Sequence, residues 1–436
     1  VADGVLVRAD ALRRSTADPA KWDLVEVKSA GSCKPHHVWD ISLQHHVISR
    51  TGLVSIDRCL VAHVDRSFVF DASTYNGLVT EVDVSDKLEP TNNLERVIED
   101  VKALAQDASP CPPATMGSKC DRPFTCEYKE QCAGPPKAEV PISILPHVGR
   151  RLALDWQARG VYDLRQVPRK SLKTKLAKRI WDAHNEDRVI VSREIRRRLK
   201  QMPWPRYFMD FEMVQQGVPI IPGSRSRDSH PFQWSVHRWD SLDQTVRLED
   251  GMSFLQFNGE DLRVNFLESL MAAVGNEGPV FVHSISAERS VLQLLGSFPE
   301  CERFKPQIDA LIARLEDTHK IAKEHFYAPA MMGSFALKRI VSAVPSSVQY
   351  GENDSSVANG MDAQMAWFKC TDPTVSAAEK AKVSADLIKY CAQDTVAMVD
   401  FVRYMQTFND SLPMVTAREK PVRDANAGAL RAQVAA

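Results

Sequence analysis

The stretch RYFMDFEMV, at Arg206–Val214, predicts a buried β-strand that carries two carboxylates. Successive side chains of a strand point to opposite faces, so Asp210 and Glu212 share one face. Two like charges within an apolar strand repel each other and are costly to bury unless cations neutralise them. The pattern therefore predicts a metal site, and the alternative is a pair of surface acids without a ligand.

Two further acidic positions follow downstream in predicted helices. The segment KYCAQDTVAM, residues 389–398, places Tyr390 and Asp394 four residues apart, on one face of a helix. In VHSISAERSVL, residues 282–292, Glu288 falls in the first turn of a helix that follows a buried strand. We therefore expect one strand and two helices to supply the acidic side chains.

In this order and in these contexts, the residues from about Pro203 to Thr407 resemble the DEDD exonucleases of the RNase H-like superfamily, in the variant with a tyrosine. Glu288 stands where most members have Asp, and Ser284 stands where Asn is commoner. The resemblance implies a 3′–5′ exonuclease that uses two Mg²⁺ or Mn²⁺ ions, since hard cations prefer carboxylate oxygens. It further implies that Asp210 bridges the ions, that Glu212, Glu288 and Asp394 complete the cage, and that Tyr390 orients the attacking water.

The N-terminal residues carry a second nuclease-like pattern. Asp10 in the predicted strand VLVRADAL, residues 5–12, and Glu26-Val27-Lys28 on the next strand form the PD-(D/E)XK arrangement. Gln44 on the following predicted helix matches the glutamine of RecB-type members. The resemblance implies that Asp10 and Glu26 bind a metal ion and that Lys28 polarises the attacking water or stabilises the developing charge. Because that fold usually begins with a helix and a strand upstream, we expect this domain to be truncated at its N-terminus.

Four of the nine cysteines fall in the Pro-rich stretch SPCPPATMGSKCDRPFTCEYKEQC, residues 109–132. Without a secretory signal, clustered cysteines indicate zinc or iron–sulfur ligation rather than disulfides. RecB-type nucleases with a [4Fe–4S] cluster have three cysteines after the nuclease core, which Cys120, Cys126 and Cys132 resemble. The fourth ligand is then expected upstream of Val1, with Cys111 as the alternative. The other cysteines are predicted to be reduced core thiols: Cys33, Cys59, Cys301, Cys370 and Cys391.

The formal net charge of -1 conceals a strongly basic segment. The residues from Arg150 to Lys200 include 16 Lys and Arg against 6 Asp and Glu, a charge of +10, so the remainder carries -11. Such segregation favours a nucleic-acid-binding surface, and the alternative is a solvated helix face. The segment is similar to a helix-hairpin-helix module. Its predicted contacts with nucleic acid are Lys175, Lys178, Arg196, Arg197 and Arg198.

The order of these parts resembles a family of bacterial proteins in which a RecB-type PD-(D/E)XK nuclease is fused to a DEDD exonuclease-like domain of unknown function. We therefore predict an α/β chain with four regions. They are a truncated restriction-endonuclease-like domain with a cysteine cluster at residues 1–138, a basic helical hairpin linker at 139–202, an RNase H-like DEDD exonuclease domain at 203–411, and a flexible tail at 412–436.

Composition and motifs together favour a metal-dependent nuclease that acts on single-stranded DNA or RNA. With 44% hydrophobic and 25% charged residues, the chain has the composition of a globular protein. No stretch approaches the roughly 20 apolar residues of a membrane span, so we expect a cytoplasmic location and no membrane partner. The alternatives are a nucleic-acid-binding or scaffolding protein with decayed nuclease sites, and a zinc-stabilised regulatory protein, which only the cysteines support.

Overall fold

The protein is a mixed α/β chain that a computed structural model divides into two compact units. The N-terminal unit comprises Val1–Pro136 and Gln215–Asp228, and the C-terminal unit comprises Lys137–Val214 and Ser229–Ala436. The structure describes residues 1–106, 120, 124–133, 138–146, 153, 155–258, 262–348, 350 and 357–409. The predicted cluster ligand Cys111 and the predicted tail at 412–436 lie outside these residues. Within them, no helix is both long enough and apolar enough to cross a membrane.

A four-stranded sheet organises the N-terminal unit. Its strands lie in the order β1 (Ala11–Arg14), β2 (Trp22–Lys28), β3 (Ile56–Val64) and β4 (Val79–Asp83). The β1–β2 and β3–β4 pairs are antiparallel, whereas β2 and β3 are parallel. Parallel neighbours need a crossover connection, which the helix between β2 and β3 supplies. The helices described in this unit are α1 (Pro35–Thr51), α2 (Thr91–Gln106) and α3 (Lys129–Ala133).

The helix predicted after β2 is confirmed as α1. It ends at Gly52, whose φ of 67° lies in the left-handed region that glycine adopts without a steric penalty. Ile41 on this helix packs with Leu24 and Val61 of the sheet to form the core of the unit. This packing holds α1 against β2, the strand that carries the predicted Glu-x-Lys motif.

The prediction that Asp10 lies within a strand is wrong, because β1 begins at Ala11. The Asp10 carboxylate accepts a hydrogen bond from the backbone N–H of Val27 at 2.8 Å. A side-chain oxygen thus takes the place of the backbone carbonyl that would have extended the β1–β2 ladder. Asp10 consequently sits on the bend that precedes the strand.

The C-terminal unit begins with short helical elements and continues as an alternation of strands and helices. In chain order the regular elements are α4 (Lys175–Asn185), β5 (Ile190–Val191), α5 (Arg193–Gln201), β6 (Arg206–Gln215), β7 (Ser229–Trp239), β8 (Met252–Leu255), α6 (Leu262–Val274), β9 (Val280–Val282), α7 (Ile285–Leu295), α8 (Lys305–Ala313), β10 (Leu315–Asp317), α9 (Thr318–His325), β11 (Phe326–Tyr327), α10 (Leu337–Val341), α11 (Gly360–Thr371) and α12 (Ala377–Thr407).

Five of these strands form one sheet in the order β10-β9-β6-β7-β8. Strand β9 runs parallel to both β10 and β6, and β7 runs antiparallel to β8. The strand that contains Asp210 and Glu212 is therefore central in the sheet. This position explains why most of its residues are buried.

The β-prone segment QTVRLE, residues 244–249, is not a strand, and the third strand of this sheet in chain order is β8. The Arg247 carbonyl contacts the Nε2 atom of buried His237 at 3.0 Å, and the Arg247 N–H donates to the Asp250 carboxylate at 2.8 Å. Because side chains occupy these backbone groups, Arg247 does not form the backbone hydrogen bonds of a β-sheet.

The segment predicted as a linker at 139–202 shares a hydrophobic core with residues far downstream. Ile142, Leu164, Ile180 and Ile195 are fully buried and belong to the same core as Phe401 of α12. Strand β5 also pairs with β11 in an antiparallel ladder. The basic helices are therefore part of the C-terminal unit rather than an independent module.

A buried arginine ties the start of β6 to the end of α12. The Arg206 side chain is fully buried, and its guanidinium donates to the carbonyl of Leu199 at 2.5 Å and to the side-chain oxygen of Gln406 at 2.5 Å. It also donates to the carbonyl of Met202 at 3.0 Å and lies 3.9 Å from the centre of the Trp204 ring. Burial lowers the pKa of Arg206 to about 10, so the guanidinium stays charged at neutral pH.

We expect Arg206→Met to lower the free energy of unfolding by roughly 2–4 kcal/mol. The substitution removes a charged donor and leaves its buried acceptors without a hydrogen bond. Chemical denaturation monitored by circular dichroism measures the change. Arg238→Met is the matched control, since Arg238 is exposed and its ion pair with Asp240 lies at the surface, where a pair contributes about 0–1 kcal/mol. Equal effects of the two substitutions would contradict the assigned role of Arg206.

Candidate metal centre

Strand β6 and helix α12 bring potential metal ligands together in the C-terminal unit. The side chains of Asp210 and Glu212 lie on one face of β6, as their spacing predicts, and Cys391 approaches them from α12. The ligand atoms of these three residues all lie within 4.8 Å of one another. The Cys391 thiol donates to the Asp210 carboxylate at 3.7 Å. Among the described residues, no other group of three or more His, Cys, Asp or Glu side chains brings its ligand atoms this close together.

Asp394 lies beside this group on α12 and is held by two tyrosines. The Tyr350 hydroxyl donates to its Oδ1 atom at 2.5 Å, and Tyr390, one helical turn before Asp394, also hydrogen-bonds to it. The Lys338 ammonium lies 5.1 Å from the centre of the Tyr350 ring and 5.3 Å from that of Tyr390. The predicted helix face is thus confirmed as a face that presents both Tyr390 and Asp394 to the cluster.

Glu288 reaches the cluster from the first turn of α7. It is only 3% exposed, and its Oε2 atom has no hydrogen-bond partner among the described residues. The charge of Glu288 adds to burial and to the charges of Asp394 and Glu212 in raising the pKa of Asp210. Ser284, just before the helix, has a φ of 106°, which an L residue rarely adopts. This turn redirects the chain from β9 into α7.

Asp317, at the end of the neighbouring strand β10, stabilises the turn between β9 and α7. Its carboxylate accepts the N–H of Ile285 at 3.2 Å and caps α9 by accepting the N–H of Lys320 at 3.0 Å. His283 supports the turn from the other side, with Nδ1 2.9 Å from the Thr318 hydroxyl. These contacts give Asp317 a structural role and fix the start of the helix that bears Glu288.

The four acids have raised pKa values because they are buried together. Burial, with the charges of Asp394, Glu212 and Glu288, holds the pKa of Asp210 well above its usual range. Burial and Asp394 raise the pKa of Glu212 to about 8, and burial raises that of Glu288 to about 7. Burial also raises the pKa of Asp394, although hydrogen bonds from Tyr350 and Tyr390 and the charge of Lys338 oppose the shift.

These properties fit a site for divalent cations. Hard carboxylate oxygens are the ligands that Mg²⁺ and Mn²⁺ prefer, and a bound cation would remove the repulsion that raises the pKa values. The Glu288 Oε2 atom, which has no hydrogen-bond partner among the described residues, is a buried acceptor that a bound cation would satisfy. The residues that would hold the ions are Asp210, Glu212, Glu288 and Asp394.

Three residues of this cluster are missed by reasoning from sequence. Tyr350 and Lys338 lie between the recognised motifs, and no local periodicity marks them as parts of a site. Cys391 is buried, as predicted for a core thiol, but it also faces the carboxylates. Its place directly after Tyr390 in the helix is the one sequence signal that could have suggested this contact.

The predicted N-terminal site contains an ion-pair network that includes an unpredicted acid, Asp40. The Lys28 ammonium lies 2.5 Å from the Glu26 carboxylate and also bonds to that of Asp40. The Gln44 amide donates to Glu26 at 2.7 Å and to Asp40 at 3.3 Å. Asp40 precedes Gln44 by one turn of α1, so the two side chains share a helix face.

Within this network the Lys28 ammonium offsets one of the two acid charges, and the neutral Gln44 amide donates to both carboxylates. Burial raises the pKa of Glu26, against the opposing hydrogen bonds from Lys28 and Gln44. Burial also acts to raise the pKa of Asp40, but hydrogen bonds from Lys28 and Gln44 outweigh it and leave that pKa lowered. Asp10 is exposed and bonds to the Val27 backbone rather than to this network. The structure therefore brings Glu26, Lys28 and Gln44 together, with Asp10 outside their hydrogen-bond network.

The three predicted cluster cysteines follow one another through backbone turns. The N–H of Cys126 donates to the carbonyl of Cys120 at 2.9 Å, and the N–H of Cys132 donates to the carbonyl of Tyr128 at 2.9 Å. Cys126 is exposed, and Cys120 and Cys132 are partly exposed; all three are free of disulfides. Cysteines outside disulfides can supply thiolates to a metal ion or cluster.

The predicted basic contacts differ in their availability. Arg198 pairs with Glu316 at 2.5 Å, and Arg196 donates to the carbonyl of Phe408 at 3.1 Å. These tertiary contacts engage both guanidinium groups, and their contact with nucleic acid remains a prediction. Lys175 and Arg197 are exposed, and Lys178 is half-buried. These three residues retain positive charge at the surface of the unit.

Comparison with known proteins gives one match. A family model described as "Domain of unknown function (DUF2779)" matches residues 207–336, a span that includes Asp210, Glu212 and Glu288 but not Tyr390 or Asp394. No curated protein and no solved structure matches the chain.

The raised pKa values predict that the metal-free protein becomes less stable as the pH rises. Glu212 and Glu288 bind protons more tightly when folded, so the free energy of unfolding falls between about pH 4.5 and pH 8. Glu212→Gln removes one buried charge and should raise stability at pH 8 by about 1–3 kcal/mol while flattening the pH dependence. Denaturation in chelator-treated buffer measures both effects.

The matched control for this prediction is Glu249→Gln, because Glu249 is an exposed acid of the same unit. Its pH profile should equal that of the wild type. A Glu212→Gln protein with an unchanged profile would contradict the proton binding assigned to Glu212.

Proposed function

We propose that the protein is a metal-dependent nuclease, with a 3′–5′ exonuclease site of the DEDD type in the C-terminal unit. The observation that carries the proposal is the convergence of four carboxylates from β6, α7 and α12, of which Glu212 and Glu288 are buried and Asp210 and Asp394 are half-buried. Beyond burial itself, the charges of the other three acids raise the pKa of Asp210, and the charge of Asp394 raises that of Glu212. A structural role does not account for such a cluster, because clustered buried charges without cations are destabilising. Catalytic sites are where strongly perturbed carboxyl groups concentrate.

The topology of the C-terminal sheet supports an RNase H-like fold. The first strand of the sheet in sequence, β6, lies at its centre, with β7 and β8 on one side and β9 and β10 on the other. The strands on the second side run parallel to β6, and helices connect them. This arrangement supports the proposal of the fold that the DEDD motifs imply by resemblance.

The chemistry that we propose is hydrolysis of a phosphodiester bond. Bound Mg²⁺ or Mn²⁺ ions supply charge neutralisation at the attacking and leaving oxygens. Asp210, Glu212, Glu288 and Asp394 provide the oxygens that hold such ions. The Tyr390 hydroxyl stays protonated, because burial and the neighbouring carboxylates raise its pKa, and it can therefore orient a water molecule by hydrogen bonding.

A second nuclease site of the RecB-type PD-(D/E)XK class is proposed for the N-terminal unit. Its support is the order β1-β2-α1-β3, with Glu26 and Lys28 on β2 and Gln44 on α1, and with β2 parallel to β3. In this proposal Asp40 acts with Glu26, and Cys120, Cys126 and Cys132 supply three ligands to an iron–sulfur cluster. Lys28 would have to exchange an ion pair with Asp40 or Glu26 for contact with substrate.

End-labelled single-stranded DNA and RNA, incubated with Mn²⁺, test the C-terminal site. We expect the wild type to shorten 5′-labelled strands stepwise, and Asp210→Asn and Asp394→Asn each to slow shortening roughly 100-fold or more, because each removes a charged metal ligand. Asp309→Asn, an exposed acid on α8, is the control and should act like the wild type. The Glu26→Gln/Lys28→Met variant separates any contribution of the N-terminal site.

Two outcomes of this experiment would count against the proposal. Shortening that survives in the Asp210→Asn/Asp394→Asn double variant would reject the DEDD assignment. Binding of either nucleic acid by the wild type without cleavage of either would favour the alternative, a nucleic-acid-binding or scaffolding protein with decayed sites.

The exposed basic residues should control the salt dependence of nucleic-acid binding. We expect Lys175→Gln/Arg197→Gln to reduce the slope of log affinity against log salt by about 0.7 for each phosphate of a single strand that the variant no longer neutralises. Fluorescence anisotropy in a chelating buffer measures binding without cleavage. Arg198→Gln should change the slope less, since Arg198 pairs with Glu316, and the reverse ranking would refute this assignment.

A further inference from the structure

Tyr350 meets the candidate metal centre from a part of the chain that no recognised motif covers. It precedes Asp394 by 44 residues, yet its hydroxyl donates to the Oδ1 atom of that carboxylate at 2.5 Å. This is a short contact for a hydroxyl and a carboxylate, of the kind expected when the acceptor is charged. The contact therefore acts on a residue that the proposed mechanism needs as a ligand.

The Asp394 carboxylate is held on more than one side. Tyr390 also hydrogen-bonds to it from the preceding turn of α12. The Lys338 ammonium lies close to both tyrosine rings, at 5.1 Å and 5.3 Å from their centres, so it helps to fix the ring positions. Rotation of the carboxylate that moves Oδ1 away from Tyr350 would break the 2.5 Å hydrogen bond.

A tyrosine hydroxyl suits this task because it fixes a carboxylate without neutralising it. The hydroxyl is the donor in this contact, and its oxygen lies 2.5 Å from the Asp394 Oδ1 atom. An ionised carboxylate has about four lone-pair sites, so one hydrogen bond leaves others for a cation. A lysine or arginine in this place would compete with the cation for the same negative charge.

We propose that Tyr350 is a positioning residue that orients the Asp394 carboxylate for divalent-cation binding and so sets the metal affinity of the centre. The inference rests on the proposed function in assigning Asp394 as a ligand. It adds a residue that lies outside the DEDD motifs and acts through Asp394. Groups of this kind next to a ligand commonly change metal affinity or activity by about 10–100-fold when they are removed.

The test is Tyr350→Phe, which keeps the ring and removes only the hydroxyl. Binding of Mn²⁺ alone, followed by the electron paramagnetic resonance signal of the free ion, should weaken by about 10-fold or more. The rate of strand shortening should fall at low Mn²⁺ and recover as Mn²⁺ is raised, which a general structural defect would not allow. Tyr404→Phe is the matched control, because Tyr404 is a partly buried tyrosine on α12 that packs against Phe326.

The outcomes separate this inference from the proposed function. Weakened Mn²⁺ binding in Tyr350→Phe supports the inference even if the wild type cleaves neither DNA nor RNA, a result that would reject only the nuclease. Unchanged Mn²⁺ affinity and unchanged Mn²⁺ dependence in Tyr350→Phe would overturn the inference while leaving the nuclease in place. A wild type that binds no Mn²⁺ would overturn the inference as well. Melting curves of both variants verify that each is folded.

Discussion

The C-terminal unit is organised around the repulsion of carboxylates that are buried at one place. The strand fixes the spacing of Asp210 and Glu212, so these two carboxylates cannot move apart. Asp394 and Glu288 lie on helices whose apolar residues are buried in the core. The surrounding polar contacts then act on this charge. Tyr350 and Tyr390 donate to Asp394, Lys338 offsets part of the charge on Glu212, and the left-handed Ser284 turn directs the helix of Glu288.

The two candidate sites differ in how the negative charge of their acids is offset. In the N-terminal unit Lys28 lies between Glu26 and Asp40, so an internal cation stabilises the acids. In the C-terminal unit four acids face a single neighbouring ammonium, that of Lys338, among the charges that act on Glu212 and Asp394. The first arrangement is stable without an external ion, whereas the second favours either protonation or metal binding.

Local patterns predict the parts of these sites that depend on a single element. Asp210 and Glu212 share a strand face and Tyr390 and Asp394 share a helix face, because the periods of 2 and 3.6 residues are properties of the backbone. The parts that depend on tertiary contacts are not predictable in this way. Tyr350 donates to Asp394, which lies 44 residues downstream, and Arg198 forms an ion pair with Glu316. Asp10 lies just before β1 and accepts a hydrogen bond from the Val27 backbone.

The Arg206 contacts also define how far the folded C-terminal unit must extend along the chain. The guanidinium is buried at the first residue of β6 and depends on Gln406, which lies in the last turn of α12. A chain cut before Gln406 would keep every proposed catalytic residue but leave a buried cation without its side-chain acceptor. Limited proteolysis within that last turn would therefore destabilise the whole unit, and α12 cannot be shortened to the part that carries Tyr390 and Asp394.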